Sequence, residues 1–284
     1  MCFGQVRNGQ ILTVLCALFF SVANANAQDA NAWLREPGGH KFEDLDEKPH
    51  DPLSVWPLTQ TVQCADGRLV HLRSIIIADT QKLRLAVIDN PRGNETLADT
   101  MVKIGAIAGV NGSYFHPDWT PLGFEISFGK IIHPFVRAKL LTGVIAVSGA
   151  NVRILRTSEF SPQKKWDAAL QAGPFLVDHG EPVAGLEATR RAYRTAVTQD
   201  DEPSGNEGDI AHITRLVVCE PVTLAEFAQL LSKNLLTGTH TVSRALNLDG
   251  GSSTGMWVRG HEAPVQIGSA NVNVRNYLAI VPRQ

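Results

Sequence analysis

The 284-residue chain lacks any basic block. Its 26 Lys and Arg stand against 28 Asp and Glu for a net charge of -2. Without a positive stripe there is no electrostatic footprint for a phosphate backbone, which argues against a nucleic-acid binder. Cysteine is scarce, with four in all, and Cys2 and Cys16 fall in the first apolar segment, leaving Cys64 and Cys219. Two thiols cannot build a cysteine zinc site, and the nine histidines show no His-Glu-x-x-His or comparable close pair. A dedicated zinc hydrolase is disfavoured. No apolar run reaches the roughly 20 residues needed to span a bilayer, since the longest near the start is Ile11 to Ala23. The Gly-x-Ser-x-Gly elbow of serine hydrolases is missing from Gly250-Gly251-Ser252-Ser253. Charged residues make up only 19% and hydrophobic ones 44%, too apolar a balance for a disordered chain.

What is present begins with Arg7, the apolar run and the small residues Ala23-Asn24-Ala25-Asn26-Ala27. This pattern predicts a secretory signal peptide over residues 1–27, cleaved after Ala27, with no stable membrane insertion afterwards and a periplasmic or extracellular location. In such a compartment Cys64 and Cys219 are open to a disulfide, with two buried thiols as the alternative. Residues 28–56, rich in Asp, Glu, Pro, Gly and His, read as an exposed arm, and residues 57–284 as one domain.

Within that domain, β-branched and apolar runs at Leu69–Ala78, Leu83–Ile88, Ala106–Val110, Phe124–Phe128, Gly143–Val147 and Val152–Leu155 predict strands separated by Gly, Pro, Asn and Asp turns. Helices are expected at Leu97–Ile104, at Pro162–Ala169 and at Leu224–Leu235. The last has a capping box of Thr223 and Glu226 and a staple of Val222 and Phe227. Strands outnumber helices without β-α-β alternation, so the expected class is α+β, a mixed and largely antiparallel sheet packed with a few helices.

Four segments can carry chemistry. In Asn247-Leu248-Asp249-Gly250-Gly251-Ser252-Ser253-Thr254 an apolar strand runs into an acid, two glycines and three hydroxyls. Such a loop can hold a carboxylate beside an anion-binding nest of amides; an ordinary strand-end turn tied down by Asp249 is the alternative. Asn111-Gly112-Ser113-Tyr114-Phe115-His116-Pro117-Asp118, followed by Glu125, gathers an amide, an imidazole and carboxylates. His116 is also compatible with an ordinary surface histidine, Asp118 with a turn residue, and Glu125 with a solvent-facing strand position. Arg194-Thr195-Ala196 offers a planar fork suited to phosphate. Gln171-Ala172-Gly173-Pro174 adds a turn with one amide.

These segments, in this order across Leu97 to Pro282, resemble the phosphodiester glycosidase family. Where that family's last motif commonly has three glycines before serine, this chain has two, and Asp200 to Asp209 looks like an enlarged loop beside the arginine motif. The resemblance implies a hydrolase that cleaves sugar-1-phosphodiester bonds at the anomeric carbon, its partner a carbohydrate phosphodiester on a glycan or cell-envelope saccharide. On that reading Asp249, Glu125, Arg194 and His116 are the catalytic candidates, with Asp249 the first choice as nucleophile or base. Asn111, Gly112, Gln171, Gly173, Thr195, Gly250, Gly251, Ser252 and Ser253 are the substrate-binding candidates. No cofactor is required by the sequence; a Ca²⁺ ion on Asp118, Asp249 or neighbouring carbonyls is compatible with it. The alternative function is a non-catalytic glycan-binding or envelope-assembly module that would use aromatics such as Trp119 and Trp257.

Overall fold

A computed structural model describes residues 58–64, 66–77, 81–203, 210–233, 241–260, 265–268 and 273–283. The expected signal peptide and arm lie outside these residues. The chain divides into two compact units. Of the smaller one, Met1–His40 with Val62–Leu69, the described part is a tight turn that follows strand β1 (Leu58–Gln63). There the Cys64 N–H donates to the Arg68 carbonyl at 2.8 Å, and the Arg68 Nε–H to the Asp66 carboxylate at 2.7 Å.

The larger unit is dominated by three sheets whose registered pairs are all antiparallel. The first runs β2 (Leu69–Ile76), β13 (Ile210–Val222), β12 (Ala192–Pro203), β14 (Val242–Asn247), β10 (Phe175–Asp178) and β11 (Glu181–Pro182). The second runs β16 (Val265–Gly268), β15 (Gly255–Val258), β4 (Ala108–Asn111), β17 (Asn276–Pro282) and β3 (Leu83–Asp89). The third runs β6 (Lys130–His133), β5 (Glu125–Ser127), β9 (Ala168–Ala172), β7 (Gly143–Ser148) and β8 (Asn151–Arg156). One apolar cluster joins residues of all three sheets, among them Leu216, Val110 and Ile145. β4 and β9 are buried at every position, as strands covered on both faces must be.

Two α-helices are described. In α1 (Leu97–Lys103) the Thr96 side chain caps the Asp99 N–H; in α2 (Leu224–Ser232) the expected capping box of Thr223 and Glu226 is formed. The class is therefore α+β in a sheet-dominated form. The helix expected over Pro162–Ala169 is not there. Trp166 stacks on Phe160 at 5.6 Å and donates from Nε1 to the Ser161 carbonyl, and Ala168 already enters β9 between β5 and β7. Burial between two neighbouring strands overrides the helix preference of the alanines. Asp200 lies within β12 rather than in a loop; residues 204–209 are outside the described set. Neither Cys64 nor Cys219 is in a disulfide, and both are buried.

The topology brings three crossings between sheets together. The chain leaves sheet two after β4 for β5 of sheet three, leaves sheet three after β9 for β10 of sheet one, and leaves sheet one after β14 for β15 of sheet two.

Candidate active site

The first crossing begins at Asn111, the last residue of β4 and only 2% exposed. Its Oδ1 accepts from the Thr195 hydroxyl at 2.7 Å and from the Gly255 N–H at 3.2 Å, and its Nδ2 donates to the Asp249 carbonyl at 2.8 Å. Asn111 thus pins the Asp249 loop rather than facing outward. The Asp249 N–H in turn donates to the Gly112 carbonyl at 3.1 Å. Gly112 is sterically required: a Cβ there would stand 2.0 Å from Asn276 Oδ1 and 2.6 Å from the Asn276 carbonyl.

Tyr114 ties the second crossing to the other two. Its hydroxyl donates to the Gly173 carbonyl at 2.8 Å and accepts from Asn247 Nδ2 at 2.7 Å. Gly173 sits where a Cβ would meet the Leu140 carbonyl at 2.1 Å, and the Asn247 N–H donates to the Pro174 carbonyl at 3.0 Å. Burial, with the charge of Asp249, pushes the Tyr114 phenol well above its usual range, so it stays protonated and keeps donating.

Asp249 is half-buried on the loop after β14. Burial raises its carboxyl above the usual range, against hydrogen bonds from the Ser253 side chain and the Gly250 N–H, the latter at 2.9 Å to Oδ1. Residues Gly251–Ser253 form a single 3-10 turn. Gly251 takes the left-handed conformation at φ 64°, with open space where a Cβ would stand. Among the described residues the N–H groups of Gly251 and Ser252 have no hydrogen-bond acceptor, whereas those of Ser253 and Thr254 bond within the turn. Two amide donors beside a carboxylate form a cradle for an anion.

Arg194 enters from β12. A Cβ on Gly250 would lie 2.8 Å from the Tyr193 carbonyl and 3.8 Å from Arg194 Cδ, so the arginine stem runs along the loop. Its Nε–H donates to the Val222 carbonyl at 2.9 Å and Nη2 to the Arg190 carbonyl at 2.8 Å, with Glu187 at 3.8 Å. Nη1 has no hydrogen-bond partner among the described residues, and the side chain is 12% exposed. A guanidinium clamped along one edge presents its other edge in a fixed direction.

The junction thus gathers Asn111, Gly112, Gly173, Arg194, Thr195 and Asp249 to Ser253. Other expected site residues lie elsewhere or point elsewhere. Gln171 is fully buried and its side chain is engaged by backbone: Oε1 accepts from Phe124 and Val136 N–H, and Nε2 donates to the Val136 carbonyl at 2.6 Å. His116 is on the exposed loop closed by the Phe115–Pro121 bridge, where Asp118 bonds the Thr120 N–H at 3.0 Å and Trp119 stacks on Phe115 at 5.0 Å. Trp257 is core. Glu125 is 0% exposed and faces inward between sheets three and two: Asn276 Nδ2 donates to Oε2 at 2.7 Å. Burial and then the neighbouring Asp89, which is ion-paired with Arg275, push its carboxyl up to about 8. The solvent-facing strand position that alternation suggests for Glu125 does not hold, because β5 is covered on both faces and Ser127, two residues on, likewise bonds inward to the Val87 carbonyl. Among the described residues no group of three His, Cys, Asp or Glu side chains converges to hold a metal, and no helix is long and apolar enough to cross a membrane.

Two residues that tie the junction together, Tyr114 and Asn247, gain that part only from the structure. Both lie inside the motifs singled out by sequence. Asn247 is two residues before Asp249 on the same strand end, the one signal that could have marked it.

A family model described as phosphodiester glycosidase matches residues 104–281. Among solved structures, the chain is similar to the catalytic domain of zebrafish N-acetylglucosamine-1-phosphodiester alpha-N-acetylglucosaminidase auto-inhibited by its pro-peptide. The identity is 17% and the TM-score 0.58, covering 86% of this chain and 88% of that one. It is also similar to a hypothetical protein from Synechocystis, at 16% identity and TM-score 0.55, over 88% of this chain and 69% of that one. No curated protein sequence matches it. The two structural likenesses speak for the fold. The family match spans more than half of the chain and takes in all three crossings, and the chain belongs to the phosphodiester glycosidase family.

Proposed function

We propose that this chain is an exported hydrolase that cleaves sugar-1-phosphodiesters at the anomeric carbon, on a glycan or cell-envelope saccharide. The observation that carries the reading is the meeting of one half-buried carboxylate, two unengaged amide donors and one clamped guanidinium at the three-sheet junction. A phosphate monoester leaving group has a second pKa near 6, so it departs with little protonation but with charge to be stabilised. The Gly251 and Ser252 amides and the open edge of Arg194 are preorganised donors for that charge. Asp249, on the same loop, serves the oxocarbenium-like centre as nucleophile or as base for water. Tyr114, Asn111 and Thr195 hold the loop in place. Membership in the family and the likeness to the zebrafish catalytic domain support this reading. The test is incubation of the purified chain with sugar-1-phosphodiesters and with phosphate-free aryl glycosides. Release of sugar and phosphate monoester from the diester is expected. Cleavage of the aryl glycoside alone overturns the assignment, and binding without cleavage of either returns the chain to the glycan-binding alternative.

A further inference from the structure

Beside the junction lies a cavity of about 260 Å³, lined by Arg73, Tyr193, Val218, Cys219, Glu220, Thr254 and Gly268. It starts where the candidate site ends, because Tyr193 precedes Arg194 and Thr254 follows the Asp249 loop. Its floor is a face of sheet one. Arg73 on β2 is registered with Val218 on β13, and Val218 with Thr195 on β12. Directly registered residues share a face, and strands lie about 4.8 Å apart, so Arg73 stands roughly 10 Å from Thr195 on the side where Thr195 meets Asn111.

The chemistry of this floor is unusual for a solvated sheet. Arg73 is half-buried, yet its guanidinium makes no hydrogen bond to a described residue. The acid near it, Glu220, is close enough to feel the Arg73 charge and is hydrogen-bonded elsewhere: its Oε2 accepts from the His71 ring at 2.8 Å and from the His71 N–H at 3.1 Å, leaving Oε1 as an open acceptor. Tyr193, 47% exposed, supplies an aromatic face at the rim. The volume is just under the roughly 300 Å³ at which small-molecule sites begin, which suits one small ring or short acid rather than a chain.

We propose that this cavity is a subsite for the leaving half of the substrate, and that it takes an anionic, hydroxylated group: its acid on Arg73, a hydroxyl donating to Glu220 Oε1, its apolar face on Tyr193. The inference rests on the reading of the junction as a phosphodiester glycosidase site and narrows the substrate to diesters whose aglycone carries a second negative charge. That charge can be a carboxylate or a phosphate, both of which match the planar fork of an arginine.

Calorimetric titration of the full chain with three phosphate monoesters tests this without turnover. Glycerol 1-phosphate has no second acid, 3-phosphoglycerate adds a carboxylate, and glycerol 1,3-bisphosphate adds a phosphate. One or both of the acid-bearing ligands should bind wild type about tenfold or more tighter than glycerol 1-phosphate, the size expected of a charged hydrogen bond, and the tighter one identifies the acid. Arg73→Gln should abolish the difference while leaving glycerol 1-phosphate binding unchanged, and Arg73→Lys should keep part of it. Equal binding of all three to wild type, or an equal loss on all three in Arg73→Gln, overturns the subsite. If Arg73→Gln melts early, the wild-type comparison still decides. Arg73-dependent selectivity in a chain that hydrolyses no sugar-1-phosphodiester would keep the subsite and remove the catalytic reading; hydrolysis indifferent to aglycone charge would do the reverse.

Discussion

Two carboxylates of this molecule, Asp249 and Glu125, are both catalytic candidates by sequence, with Asp249 the first choice, and the fold treats them in opposite ways. Asp249 ends a strand at the meeting of three sheets, half-open, with unengaged amides beside it. Glu125 begins a strand buried on both faces, bonded to Asn276 and close to Asp89. Both are raised by burial, yet only one can be reached by a ligand. A perturbed carboxyl marks a functional site when it also faces space and donors; without them it marks an internal strut. The two are nonetheless linked. Asn276, which holds Glu125, also accepts from the Ser113 N–H at 2.8 Å through Oδ1 and from the Gly112 N–H at 2.8 Å through its carbonyl, and the Gly112 carbonyl holds Asp249.

Substitution separates the two carboxylates most sharply. Asp249→Asn should lower kcat/KM for a sugar-1-phosphodiester by 10²–10³ or more with the fold intact, as expected when a charge-stabilising group is lost. Glu125→Gln should change it by less than about tenfold, since the side chain is fully buried and bonded to Asn276. Steady-state kinetics beside a circular dichroism melt distinguish these outcomes, and comparable losses in both variants would erase the contrast.

Arg194→Lys should cost about one to two powers of ten on the diester, the equivalent of roughly 1.5–3 kcal/mol for a charged hydrogen bond. Lysine keeps the charge but loses the planar fork that bonds the Val222 and Arg190 carbonyls. Any residual cleavage of a phosphate-free aryl glycoside should hardly change. Equal loss on both substrates would make Arg194 a support of the loop instead.

The pH behaviour sharpens the comparison further. Glu125 has its folded pKa raised from 4.5 to about 8, so the stability it contributes is complete below about pH 4.5 and is lost as pH rises through about 8. The size is on the order of a few kcal/mol. Thermal melts of wild type should fall across this window, and Glu125→Gln should flatten that fall; parallel curves would show that Glu125 is not protonated in the folded state. Asp249, in the role proposed for it, should leave its mark on activity. As the ionised group in the reaction, with its pKa raised, it should place the acid limb of kcat/KM above the ordinary aspartate value of 3.8. A limb at or below that value would assign it to another group.

Much of this is legible in the sequence, for reasons that particular residues make plain. The capping box at Thr223 and Glu226 is a local signal and marks the start of α2 correctly, as the β-branched runs mark the strands. The Asp249 and Asn111 loops stand out because an apolar strand ending in glycines and polar groups is rare outside turns. Strand order is not legible: Asn111 and Asp249 are 138 residues apart, and only the three crossings bring them together. Alternation misreads Glu125 because it assumes one wet face, and the second sheet covers that face. Gln171 sits in a motif, but its amide bonds the backbone of Phe124 and Val136, a role that residue type alone cannot separate from ligand binding.

Everything assigned to Asp249 and Arg194 requires that the bond broken at the junction be the one between the anomeric carbon and oxygen. Hydrolysis of a sugar-1-phosphodiester in ¹⁸O-labelled water, followed by mass analysis of the phosphate monoester, tests this most directly, because oxygen on the monoester does not exchange with solvent under such conditions. Cleavage at the anomeric carbon predicts a monoester free of label, with the ¹⁸O entering the sugar. Label in the monoester would mean attack at phosphorus, and would contradict the roles of both residues.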